Sequence, residues 1–400
     1  MLKLLIILFE ITIAWFLIAP LAKLLLIGLS KLIYKPMPAI INLEYSYSYA
    51  AIITVHESTK LLEDIVESFN KQTYKNFTAY FVLDNCGYIN VSHLESENIK
   101  FLFPEKPLHS KTRSIEFALN AFDQEYDAIS LFEDGNLLHP DYFLEINKQF
   151  CKGYKAVQGA IKAKNFNTIT ANLDAANEAF YSFHDKESRN QLGLSASIWS
   201  LGFCIDSIIF KKIVSKSFKH HLIGCDKKIQ AKLLLYTKHV AYAGNAIVFD
   251  EKTSSSKNMI KQKAVWFLDY YKNIFEALPI LFKGIQTLSF DRINYALNIM
   301  RPPLTLVLSM ACLLSVFNWF VLHQYYWLMP IAIASIAVAF ISILFIKKVD
   351  RRVWNAMYQF PRLLLIQFLA LFISNKSSES FYFTRHVVSR KVDDVLFLYK

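Results

Sequence analysis

Residues 132–140 read FEDGNLLHP and set two carboxylates, Glu133 and Asp134, side by side with glycine at 135. Adjacent carboxylates at the end of an apolar run are the donors that a divalent metal, Mn or Mg, and a diphosphate need. The same pattern also fits a strand-to-loop turn with solvated acids. Two more polar pairs end apolar runs: His56-Glu57 follows AAIITV, and Asp84-Asn85 follows TAYFVL. His56 alone fits a satisfied structural histidine, and Asp226 in IGCDKK fits a helix N-cap, because a helical pattern continues over 229–235.

What must position these pairs is an alternation of strands and helices. Residues 50–55 form a short buried-strand run. Residues 58–72 carry apolar side chains at Leu61, Leu62, Ile65, Val66 and Phe69, the spacing of an amphipathic helix. A strand over 78–83, a helix over 111–122 and a strand over 128–132 follow. Units of this size imply a parallel α/β sheet, whose ligands bind beyond the carboxyl ends of the strands. All three polar pairs fall at such ends, which makes them a site.

Composition bounds the rest. Of 400 residues, 54% are hydrophobic, with 33 Phe and 21 Tyr, and the excess sits at the two ends. The first 30 residues are apolar except for Lys3, Glu10 and Lys23, long enough for a helix across a ~30 Å bilayer core. A signal peptide is the rival, but Glu10 would be out of place in one. Lys23, Lys31 and Lys35 then put the middle of the chain in the cytoplasm. Residues 304–322 and 326–346 read as a membrane hairpin ending in the basic run KKVDRR. Residues 361–373 read as too short for a comfortable span, so an interfacial or re-entrant placement is expected. The expected divisions are an anchor over 1–33, a cytoplasmic domain over 45–270, an interfacial linker over 271–303, the hairpin over 304–346 and a basic tail over 347–400. Five cysteines without paired spacing indicate neither zinc knuckle nor disulfide framework. A net charge of +11 fits basic membrane flanks and anionic lipid, and no nucleic-acid partner is expected. Three spans without an ionisable residue in the hairpin fit a carrier poorly.

Eight stretches in order make the middle of the chain resemble the membrane-anchored family 2 glycosyltransferases, relatives of cellulose and hyaluronan synthases. These are IITVHES, SFNKQTYKNFTAYFVLDNC, HSKTRSIEFALNAF, FEDGNLLHPDYF, VQGAIKAKN, LGLSASIWSLGF, CDKKIQAKLL and VFDEK, followed by QKAVW near the end of the region. The resemblance implies a GT-A, Rossmann-like α/β domain with N-terminal and C-terminal transmembrane helices. It also implies a nucleotide-sugar donor, UDP being the usual carrier, and a glycan or lipid-linked acceptor. By position, Asp84 would bond the nucleobase, His56 and Glu57 would flank base and ribose, and Asn85 and Lys111 would lie near the nucleotide. Glu133 and Asp134 would serve the metal, Asp226 would be the general base, and Gln262 with Trp266 would line the acceptor channel.

The chain departs from the family pattern at three charged positions. Gly135 stands where the second metal-binding Asp belongs, Cys225 where a Glu precedes the base, and Val265 where an Arg meets the diphosphate. Lys261 or Lys263 could supply a point charge instead, though not a bidentate fork. Two readings follow: an active inverting transferase, or a degenerate relative that binds a nucleotide or partner without transfer. FYFTRH at 381–386 resembles a stretch in some relatives and receives no chemistry.

Overall fold

The computed structural model describes residues 2–33, 45–87, 89–199, 201–217, 225–320, 327–373 and 386–399. Eight strands form one sheet: β1 Tyr49–His56, β2 Phe77–Asp84, β3 Ile99–Leu102, β4 Ala128–Glu133, β5 Leu137–Leu138, β6 Ala156–Ala163, β7 Phe203–Asp206 and β8 Ala241–Asp250. Their order is β3-β2-β1-β4-β7-β6-β8-β5. β1 runs parallel to β2 and β4, and β6 runs parallel to β8. The sheet is mixed rather than wholly parallel, because β7 lies antiparallel to both β4 and β6. The chain leaves β6 at Ala163, passes through the helical stretch 169–191, and re-enters the sheet with Phe203 opposite Gln158. It therefore returns from the end at which it left.

Alternation along the strands fills two cores. On one face Tyr49, Ala51, Ile53 and Val55 meet helices Leu62–Asn70 and Tyr142–Cys151. On the other, Ala50 and Ile52 belong to a cluster with Lys111–Asn120, Ser207–Ser217, Cys225–Tyr236 and Phe290–Met300. Ser110 caps the helix Lys111–Asn120 by accepting from Arg113 N–H, which fixes where that helix begins.

Among the described residues, three helices are long and apolar enough to cross a membrane: residues 4–30, Leu328–Ile346 and residues 351–373. A fourth span is possible if Phe290–Met300 and Leu304–Phe320, bent by 75°, count as one. This revises the expectation for residues 361–373. The run starts at Arg351 and continues through a 3-10 turn at Met357–Gln359 into Phe360–Ile373, giving 23 residues. Ile13 and Leu17 of the N-terminal helix pack in one cluster with Phe180, Met329 and Phe340, so the apolar helices are joined to the sheet domain through the helix Ile169–Ser182.

The C-terminal residues 386–399 form a strap over the domain. Val392 and Val395 are buried in the first core, Lys71 meets Asp393 at 2.8 Å, and Ser389 and Arg390 N–H bond the Asp64 carboxylate. Burying two valines contributes on the order of 3–5 kcal/mol. The strap is thereby held in one place, and so is His386 at its start.

Candidate active site

Parallel pairing brings the strand ends together: His56 lies opposite Asp84, and Thr54 opposite Glu133. Asp84 is fully engaged. Its carboxylate accepts from Leu108 N–H at 2.6 Å and His109 N–H at 2.8 Å, and it meets His56 Nδ1 at 3.0 Å. It pins the loop before Lys111, with none of its oxygens left unbonded. Glu57, Asn85 and His109 adopt left-handed backbone with φ of 59°, 56° and 47°. Such non-glycine residues need surroundings that enforce them and gather at functional sites.

The acidic turn follows β4. Glu133 pairs with Lys111 at 2.7 Å, and Asn136 clamps the turn by accepting from Glu133 N–H and donating to Asp250. Asp134 is 4% exposed, and its Oδ1 is buried without a hydrogen-bond partner. Burial, and next the charge of Glu133, push its carboxyl well above the ordinary range. The missing carboxylate at 135 has a structural counterpart. A Cβ built on Gly135 would lie 2.5 Å from Nδ1 and 2.6 Å from Cγ of His386. The imidazole fills the direction that a side chain at 135 would take. His386 is 7% exposed, with Nε2 3.9 Å from Asp134 Oδ1 and Nδ1 3.8 Å from Glu251 Oε2. Glu251 in turn accepts from Val387 and Val388 N–H and lies 3.7 Å from Lys164.

These residues fit a divalent metal in a particular way. Glu133 is held by Lys111 and Gly135 offers no donor, which leaves the orphaned Asp134 oxygen and the facing His386 nitrogen. Two ligand atoms 3.9 Å apart need only a small closure to share one ion. One carboxylate with one imidazole suits Mn2+ better than Mg2+, which prefers oxygen donors.

Beside this turn a cavity of about 300 Å³ runs between the domain and the apolar helices. Gln262, Trp266, Asp250 and Glu251 line one part, and Leu304, Thr305 and Gln367 another. Trp266 is 49% exposed, and Lys263 Nζ sits 3.8 Å over its ring. Lys263 also bonds Asp174 at 3.0 Å, so it braces the tryptophan instead of standing in for the arginine absent at Val265. Lys261 is exposed. The buried cations near the acids are Lys164 and Lys252; burial would lower the Lys252 ammonium, but Asp250 at 2.8 Å and Glu178 hold it charged. Gln262 accepts from Thr253 at 3.1 Å. Asp226 stands in the first turn of the helix Cys225–Tyr236, with its side chain outside the described residues. Lys227 and Gln230 of that turn line the cavity.

The sequence reading therefore located the strand-end pairs and the acidic turn but missed His386, Glu251 and Lys164. They lie in or beside the stretches VQGAIKAKN, VFDEK and FYFTRH. Buried charge within apolar runs, as at Lys164, was the available signal.

The mixed sheet, with polar pairs at its strand ends and an acidic turn after β4, has a GT-A-like architecture. The family model described as "Glycosyltransferase like family 2" matches residues 47–268, more than half of the chain, and the chain belongs to that family. No curated protein sequence matches. Among solved structures, the chain is similar to the mannosyltransferase PcManGT from Pyrobaculum calidifontis in complex with GDP-Man and Mn2+. Identity there is 12%, covering 82% of this chain and 98% of that one, with a TM-score of 0.47. TarS of S. aureus is also similar at 12% identity, covering 62% of this chain and 44% of that one, with a TM-score of 0.37.

Proposed function

We propose that the chain is a membrane-bound inverting glycosyltransferase that moves a sugar from a nucleoside-diphosphate sugar, UDP-linked by preference, to a glycan or lipid-linked acceptor. The observation that carries this reading is the packing of His386 onto Gly135, facing the unpartnered oxygen of Asp134. A motif that had decayed without use would have no reason to keep a buried carboxylate aimed at an imported imidazole.

In this reading the nucleoside occupies the pocket walled by His56, Glu57, Asn85 and the loop that Asp84 pins. Lys111 lies at its diphosphate end, bonded to Glu133. Asp134 and His386 hold a divalent metal, which when bound neutralises charge on the departing diphosphate. The acceptor comes through the cavity, where the Trp266 face stacks on a sugar ring and Gln262 orients it. Asp226 takes the proton of the attacking hydroxyl, which enters in line as the nucleoside diphosphate leaves. Basic residues at Lys23, Lys31 and Lys35, and again at 347–352, support a cytoplasmic domain by the positive-inside rule. The domain divisions expected from sequence belong to the same proposal.

One observation favours the alternative, a relative that binds without transfer: the strap buries Asp134 and His386 from solvent. Turnover separates the two. Asp226→Asn keeps shape and removes the base, so release of nucleoside diphosphate from a labelled donor in membranes should fall about 10²–10⁴-fold with donor affinity retained. Wild-type protein that binds donor and never turns over would select the alternative.

A further inference from the structure

A second cluster of metal-type donors lies at the other end of the site. His56, Glu57 and His109 each offer a ligand atom, and these atoms lie within 4.8 Å of one another. His56 Nε2 is 3.5 Å from Glu57 Oε1, and the two imidazole rings stand edge to face with centroids 5.3 Å apart. Only His56 is buried; Glu57 is 62% exposed, so both partners can close on an ion by side-chain rotation.

One residue orients all three. The Asp84 carboxylate meets His56 Nδ1 at 3.0 Å, which turns Nε2 toward Glu57. The Asp84 carbonyl accepts from Glu57 N–H at 3.1 Å, and its carboxylate accepts from His109 N–H at 2.8 Å. Both of those residues are thereby held in left-handed backbone. A carboxylate behind a histidine is the arrangement that fixes the tautomer and raises ligand basicity in metal sites.

We propose that His56, Glu57 and His109 form a site for a transition-metal cation of the zinc class, with Asp84 as the residue that orients it. Two imidazoles and one carboxylate make a three-ligand set that leaves a fourth position for water or a ligand. The imidazoles and borderline-soft donors select zinc-class ions over Mg2+ or Ca2+. This site is distinct from the Asp134–His386 pair and does not depend on the transferase reading. Because its ligands also wall the nucleoside pocket, an ion there and a base lying on the same imidazoles exclude one another.

The test is zinc binding by purified full-length protein in detergent, measured by competition with a chromophoric chelator. Wild type should take up one equivalent that persists in His386→Ala, His109→Ala and Glu57→Gln should each weaken that uptake at least tenfold, and Asp84→Asn should weaken it 10–100-fold. His109 and Glu57 are surface residues, so their variants report on binding if Asp84→Asn fails to fold. His386→Ala should leave the zinc affinity unchanged. Wild-type affinity in His109→Ala, or no zinc uptake above a His56→Ala, His109→Ala double variant, would overturn the proposal. UDP binding by the wild type in EDTA, followed separately, tests the transferase reading without zinc.

Discussion

His386→Ala should lower manganese-dependent nucleotide binding at least tenfold, about 1.4 kcal/mol. Gly135→Asp should not repair it alone. A side chain at 135 would start 2.5 Å from the imidazole, so in the presence of His386 the added carboxylate forces the ring or the turn to move. Overpacking of this kind costs about 1–3 kcal/mol, and the single variant should lose both metal response and some stability. The combination of His386→Ala with Gly135→Asp behaves differently. The clash is gone, a carboxylate returns to the turn beside Asp134, and metal response should recover with a shift from Mn2+ toward Mg2+. Calorimetric titration of nucleoside diphosphate with each metal reads all four proteins. Recovery in the double variant and failure in both singles is a coupling that independent packing defects do not produce.

Arg301→Met, at the wall of the cavity, should be strongly destabilising. Arg301 bonds Asp185 at 3.1 Å where the sheet domain meets the apolar helices, and Lys23 and His184 complete the surroundings. Asp185 lies on the π-helical turn Phe183–Glu187 and is buried. Burial alone would raise its carboxyl, yet Arg301 first, then His184 and Lys23, hold it well below the ordinary range. Removing the arginine leaves a buried charge uncompensated, a loss of about 3–5 kcal/mol. Thermal unfolding in detergent should show an apparent Tm lower by on the order of 10 °C. The Asp185 carboxyl is depressed in the folded state. Its contribution is therefore present throughout pH 5–8 and lost only as pH falls below the ordinary carboxylate range. Adding Asp185→Asn to Arg301→Met should restore part of the loss, because the orphaned charge is then removed.

The parts of the fold governed by short-range pattern were legible in the sequence. AAIITV, TAYFVL and AISLF became β1, β2 and β4 to within a residue or two, because each is an apolar run delivered to a buried sheet. The run 58–72 narrowed to Leu62–Asn70, since Ser58 is committed to a turn that bonds back to His56 O. The polar pairs at the strand ends followed from the strands. β7 was not legible: its four residues owe their direction to where the chain re-enters the sheet, which no local period encodes. The helical run that begins at Arg351 is longer than the apolar stretch 361–373, because Asn355, Gln359 and Arg362 break its hydropathy while the helix runs on around them. The approach of His386 to the acidic turn was invisible for a related reason. His386 and Asp134 are 252 positions apart, and only the docking of Val392 and Val395 against the first core joins them. Gly135 looked like a loss because its replacement comes from the other end of the chain.

The most direct test of the transferase account is calorimetric titration of UDP and GDP into the full-length detergent-solubilised protein, with and without Mn2+. The account predicts that one diphosphate binds, that Mn2+ tightens it at least tenfold, and that Asp134→Asn removes the tightening while leaving metal-free binding. If neither nucleotide binds under any metal condition, the pocket at the ends of β1, β2 and β4 is not a donor site, and the transferase account is wrong.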